Sequence, residues 1–394
     1  MIDFIYIIGA IFSIIGVFLA IYFYLKSRES KKNKEHRSKL PNIFVPTIIN
    51  RDIPKERKNQ INSFLDFVEN LLMNDQIKET GAWGYLQRNI LNLQDEKITE
   101  REYQEGGIIS TFIAIRALKY RKNLNNNSQE FKSALKYLLE RQYGNGGFGR
   151  KYYSRSGSEI KPSFRHTALS IIQLILLDGP PNKISEAVDY LKTYTLKDIT
   201  SDASPSLAIS TLLLVLEILI NEPYIKYLNT SQIKELEAIY KRDKGPLLNH
   251  LISESKNITN EYSPYFIPYG RTKEMLYDTA LTIIDFLSCI SNPPLDVIIN
   301  ILNQIRLECA NLKAIPYYRD FTTLDIGMSI YYYVLCNREI IKNAIEKEPF
   351  GFEIMSFVNK SMDFVIDNYK TKKFSKYTYT DTVGNALLLN FRTD

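Results

Sequence analysis

The side chains best suited to chemistry stand where apolar segments begin. Tyr277-Asp278-Thr279 and Thr380-Asp381-Thr382 each place a carboxylate beside a threonine at such a start, and Arg165-His166-Thr167 places an arginine and a histidine there. A carboxyl group holds a proton near neutral pH only when burial or a second carboxylate raises its pKa. Asp278 and Asp381 are the candidate catalytic groups, although neither has a carboxylate next to it in the chain. Arg165, His166, Asp202, Arg271, Lys273, Tyr277 and Asp325 lie at or near the same starts and are the candidate substrate-binding set.

Metal chemistry has less support. The three histidines are His36, His166 and His250, and the three cysteines are Cys289, Cys309 and Cys336. Their spacing matches no zinc motif, and no Asp-Asp-x-x-Asp run offers hard oxygen ligands to Mg²⁺. Neither a metal nor a cofactor is expected. Three cysteines are also too few for a disulfide framework, and each lies in an apolar helical stretch where a free thiol packs as a small core residue.

Helical periodicity runs from residue 57 to the end, and its segments are of two kinds. One kind is amphipathic and charged: Ile61–Asn74, Gln129–Gln142, Lys183–Thr195, Ser231–Lys241, Leu295–Asn311 and Phe352–Tyr369. The other is apolar nearly all round: Gly107–Lys119, Arg165–Leu177, Pro205–Ile220, Tyr277–Ile290, Thr322–Cys336 and Asp381–Phe391. A helix apolar on every side must be buried on every side, whereas an amphipathic one can face water. Six alternations of the two kinds predict an all-α fold, an (α/α)6 toroid in which an inner ring of helices is wrapped by an outer ring. Thr111, Thr167, Ser206, Thr279, Thr323 and Thr382 mark the inner starts as N-cap candidates. Their unequal spacing implies loops of varied length on a common hairpin unit.

Two helix ends carry the same short signature. Gln76-Ile77-Lys78-Glu79-Thr80-Gly81-Ala82-Trp83-Gly84 closes one, and Gln142-Tyr143-Gly144-Asn145-Gly146-Gly147-Phe148-Gly149 closes the next. Glycine stops a helix where φ must turn positive. The glutamine amide can satisfy backbone groups freed there, and the aromatic covers them. The spacing resembles the QW repeat of the terpene cyclase and protein prenyltransferase superfamily, with Phe148 in place of the second Trp. The resemblance implies residues 55–394 as the toroid, with the inner helix starts converging on the substrate cavity. It also implies Asp-x-Asp-Asp-Thr for a protonating cyclase, but here Met275 and Tyr277 occupy the first two carboxylate positions and only Asp278 remains. The zinc ligands of a protein prenyltransferase have no counterpart either.

The N-terminus is a separate matter. Phe4–Leu25 is an uncharged run of 22 residues, about 33 Å as a helix at ~1.5 Å per residue, enough to cross a bilayer. Lys26, Arg28, Lys31, Lys32, Lys34, Arg37 and Lys39 follow it, which predicts a single-pass anchor in the cell membrane with the N-terminus outside and the toroid cytoplasmic. Residues 1–25 are thus the anchor and 26–54 a basic juxtamembrane linker. That flank accounts for +5 of the chain's +6, so residues 40–394 carry only +2 once Asp3 is counted. A basic segment here favours anionic lipid headgroups and speaks against nucleic acid. The expected partners are the bilayer, through residues 4–25 and the basic flank, and an isoprenoid or a partner protein. The preferred expectation is a catalytically degenerate binding or interaction module. The alternative is an active transferase or cyclase with a non-standard acid or metal site. A glycoside hydrolase using the rim carboxylates Asp202, Asp278, Asp325 and Asp381 is a third option.

Overall fold

Burial separates the helices into the two kinds that their composition predicts. In a computed structural model of the protein, the residues described are 55–84, 107–121, 127–149, 162–200, 205–221, 224–256, 273–311 and 323–368, with Ala386 and Leu389. The helices are α1 (Lys55–Asn74), α2 (Ile108–Arg121), α3 (Gln129–Glu140), α4 (Phe164–Leu176), α5 (Pro181–Leu191), α6 (Leu196–Thr200), α7 (Pro205–Ile220), α8 (Thr230–Lys256), α9 (Lys273–Leu287), α10 (Leu295–Asn311), α11 (Thr323–Cys336), α12 (Glu339–Ile345) and α13 (Gly351–Asn368). Among the described residues there is no strand, only an isolated bridge between Gln142 and Phe148.

In α7 every residue from Ser206 to Leu219 is buried, and in α4 every residue from Thr167 to Leu176. By contrast α3 buries one stripe, Phe131, Ala134, Tyr137 and Leu138, and α5 buries Ile184, Ala187, Val188 and Leu191. Those spacings of three and four are the single buried face of a helix at a surface.

The apolar helices α2, α4, α7, α9 and α11 pack each on the next in chain order, while α3, α5, α8, α10 and α13 flank them. Their C-terminal ends meet pairwise. Lys119 of α2 donates to the Leu176 carbonyl that ends α4. Glu217 of α7 accepts from Ser291, just beyond α9, and Arg338, just beyond α11, pairs with Asp285 of α9. The row also bends back on itself. Phe112 of α2 lies edge-on to Phe286 of α9, with ring centroids 6.0 Å apart, and Arg116 of α2 reaches Asp285 of α9.

Local chemistry explains how each hairpin turns. At the end of α4, Gly179 N–H bonds the Leu174 carbonyl at 2.7 Å and Asp178 N–H the Ile175 carbonyl at 3.3 Å, with Asp178 at φ 51°. This is the paired bonding of a Schellman stop, with a short polar residue tolerating the left-handed position. Pro181 then opens α5, where its fixed φ suits a first helical turn.

Some boundaries differ from expectation. The segment read as Ser231–Lys241 continues through Pro246 to Lys256 as α8. Leu236, Asp243, Leu247 and Leu251 keep one buried stripe across the proline, and that burial outweighs the hydrogen bond a proline removes. α6 and α12 are additional short helices. No helix among the described residues is long and apolar enough to cross a membrane. The expected span, residues 4–25, lies outside the described residues, as do the linker and all of 381–391 except Ala386 and Leu389, both buried.

Candidate functional site

The two repeated helix ends are built on the same backbone and glutamine bonds. Gln76 Nε2 donates to the Gly81 carbonyl at 2.7 Å within its own turn and to the Glu130 carbonyl of α3 at 2.7 Å. Gln142 Nε2 donates to Gly146 at 3.1 Å and to Lys183 of α5 at 3.0 Å. Each glutamine therefore clamps its turn to the start of the next outer helix. Gly81 (φ 78°) and Gly146 (φ 85°) have the backbone only glycine adopts freely, and a Cβ there would strike the Ser133 and Glu186 backbones of those same helices.

The aromatic residues complete the clasp. Trp83 and Phe148 are fully buried. Trp83 N–H donates to Thr111 Oγ1 at 3.0 Å, and Phe148 N–H to Thr167 Oγ1 at 2.9 Å. These threonines sit in the first turn of α2 and α4, and they tie the incoming turn to the inner helix instead of capping their own helix. The N-cap of α4 is Ser163, which accepts from His166 N–H at 3.2 Å. One difference between the clasps has a clear cause. Trp83 Nε1 donates to the Leu72 carbonyl at 2.6 Å, whereas the equivalent carbonyl, Leu138, already accepts from Arg141 N–H at 2.9 Å. Phe148, whose ring has no N–H to donate, leaves that carbonyl to the backbone bond alone.

The polar centre lies between α2, α9 and α11. Asp285 is fully buried. Its two oxygens take Arg116 Nη1 and Arg338 Nη2, each at 2.5 Å, and the first also accepts from the Tyr331 hydroxyl. Arg338 further bonds Ser288 Oγ and lies 3.7 Å from Cys289 Sγ. Burial alone would raise the Asp285 carboxyl, but the Arg116 and Arg338 charges and the bonds from Arg116 and Tyr331 hold it below the usual carboxylate range. Burial and the neighbouring carboxylate push the Tyr331 hydroxyl well above its ordinary value. Burial pushes the Cys289 thiol up to about 11. Asp285 is thus fixed as an anion, both arginines as cations, and Tyr331 and Cys289 as neutral groups at neutral pH. The cluster joins α2, α9 and α11 through these contacts.

The residues predicted from the starts of apolar segments are distributed differently. Arg165 and His166 lie in the first turn of α4, and His166 Nδ1 is 2.7 Å from Ser163 Oγ, which gives His166 a part in the helix cap. Lys273, Tyr277 and Asp278 belong to α9, which begins at Lys273, so Asp278 stands in its second turn and not at the cap expected of it. Asp325 is in the first turn of α11. Asp202, Arg271 and Asp381 lie outside the described residues. Among the described residues no three His, Cys, Asp or Glu side chains converge as metal ligands.

The central cluster has a signature in the sequence that helix-start motifs do not carry. Arg116 and Asp285 are lone charges inside Ala114-Ile115-Arg116-Ala117-Leu118 and Ile283-Ile284-Asp285-Phe286-Leu287. A charge on a helix buried on all sides needs a partner of opposite sign, so the two point to each other. The chain matches no protein-family model, no curated protein and no solved structure.

Proposed function

We propose that residues 55–394 form a closed six-hairpin α/α toroid of the terpene cyclase and protein prenyltransferase kind, held at the membrane by residues 4–25. In this reading the toroid is cytoplasmic and is a binding or interaction module for an isoprenoid or lipid-like ligand or a partner protein, not a catalyst. The observation that carries it is the centre of the helix row. Between α2, α9 and α11, Phe112 packs against Phe286, and Arg116 and Tyr331 meet Asp285, so the inner helices are joined there by side chains that satisfy one another. Mutual contact favours the charged forms of Arg116 and Asp285 and the neutral form of Tyr331, which suits a rigid scaffold better than proton transfer. The resemblance in the two clasps supports the architecture independently of any reaction.

The test is direct. The full-length chain in detergent is incubated with farnesyl diphosphate, geranylgeranyl diphosphate or squalene in the presence of Mg²⁺, and products and bound ligand are read by mass spectrometry. Retention of an isoprenoid without turnover, unchanged in Asp278→Asn, is the expected result. Product formation that Asp278→Asn abolishes in a folded protein overturns the scaffold reading and restores an enzyme.

A further inference from the structure

Among the described residues, three wholly buried side chains on the inner helices carry a polar atom that makes no hydrogen bond: Ser170 Oγ and Gln173 Oε1 on α4, and Ser206 Oγ on α7. Two of them belong together. Residues three apart on a helix are neighbours on one face, and helical side chains lean toward the N-terminus, so Gln173 extends over the turn that carries Ser170. The amide orientation is set by its other end, because Gln173 Nε2 donates to the Ile108 carbonyl at the start of α2 at 3.2 Å. That leaves Oε1, on the same carbon as Nε2, as an acceptor at the seam between α2 and α4, with Ser170 one turn earlier on the same face of α4.

We propose that this seam is a binding site for one internal water, which accepts the Ser170 hydroxyl proton and donates to Gln173 Oε1. The chemistry matches a neutral molecule that both donates and accepts. No ionised side chain is needed, since the two groups supply one donor and one acceptor. A buried hydroxyl and amide oxygen left without partners would each incur an uncompensated desolvation cost, and internal waters in proteins commonly serve such groups. The bound water then bridges two residues of α4 and steadies the Gln173 amide, whose bond to Ile108 ties α4 to α2.

Magnetic relaxation dispersion of water ¹⁷O on the full-length chain in detergent counts its long-lived internal waters. Ser170→Ala removes the donor and Gln173→Met removes the acceptor at similar volume. Each variant, checked for folding by circular dichroism, is expected to lose one long-lived water relative to the parent, while Ser206→Ala keeps the α4 seam water. An unchanged dispersion amplitude in folded Ser170→Ala or folded Gln173→Met overturns the proposal.

Discussion

Asp285 shows what one side chain contributes when its helix is buried on every side. Removing its charge leaves Arg116 and Arg338 facing each other in the interior without their shared counter-ion. Asp285→Asn is therefore expected to destabilise the protein by about 3–5 kcal/mol, measured by denaturant unfolding. A loss below about 1 kcal/mol would mean that water reaches the arginines. Asp75 tests the opposite case. It lies at the end of α1, where the helix dipole disfavours an anion, and burial pushes its carboxyl from the ordinary 3.8 up to about 7. Its folded-state pKa lies above its unfolded one. The stability it contributes is thus fully present below about pH 4 and is lost as pH rises through about 7. Asp285 runs the other way: its contribution is present above the ordinary carboxylate range and is lost on acidification. Subtracting the pH–stability curve of Asp75→Asn from that of the parent isolates the first effect, and a flat difference between pH 4 and 8 would refute it. The two carboxylates were not equally legible in the sequence. Asp285 declared itself as a lone charge in an apolar helix, whereas Asp75 looks like any polar residue at a helix end until its surroundings are known.

The clasp is the unit in which sequence and fold correspond most closely. Gln, Gly and the aromatic were readable in the chain, and so was the burial of the ring. What the spacing did not show is the partner of each group, because Glu130, Lys183, Thr111 and Thr167 are 19 to 54 residues away from the groups they meet. Thr111 and Thr167 differ from the expected caps for the same reason. A hydroxyl near a helix start looks like a cap in one dimension, and only packing shows it receiving an N–H from another turn. Two substitutions separate the parts of the clasp. Trp83→Phe removes the bond to the Leu72 carbonyl but keeps the ring, and is expected to cost about 1–3 kcal/mol because a buried carbonyl loses its partner. Trp83→Ala also leaves a cavity and is expected to cost about 3–5 kcal/mol. If the two variants unfold at the same denaturant concentration, the indole N–H and not the ring volume is what the clasp depends on. Gly146→Ala adds strain at φ 85° to a collision with the Glu186 backbone, and is expected to destabilise by roughly 2–4 kcal/mol.

Each inner helix packs on the next in chain order, and the clasps join consecutive hairpins, so stability spreads along the chain by neighbour contacts as in repeat proteins. The cluster around Asp285 adds what a linear array lacks. It links the first inner helix to the fourth and fifth, across 215 positions of sequence between Arg116 and Tyr331. Cooperativity should follow from that link. With the cluster intact, the body is expected to unfold in one transition, and in Asp285→Asn the N-terminal hairpins α1–α5 should separate from α9–α13 as a second transition. The alternation of helix types is visible in composition, but this long-range link is not, since periodicity reports which face is buried and not what buries it. The same logic bears on the N-terminal segment. All described residues fall within one compact unit, Pro46–Asp394, so a chain starting near Pro41 retains every contact discussed above. If residues 4–25 serve only as an anchor, that shortened chain should be monodisperse without detergent and should unfold at the same midpoint as the full chain. Aggregation of the short form, with the full chain monodisperse under the same conditions, would mean that the apolar segment belongs to the core and that the anchor assignment is wrong.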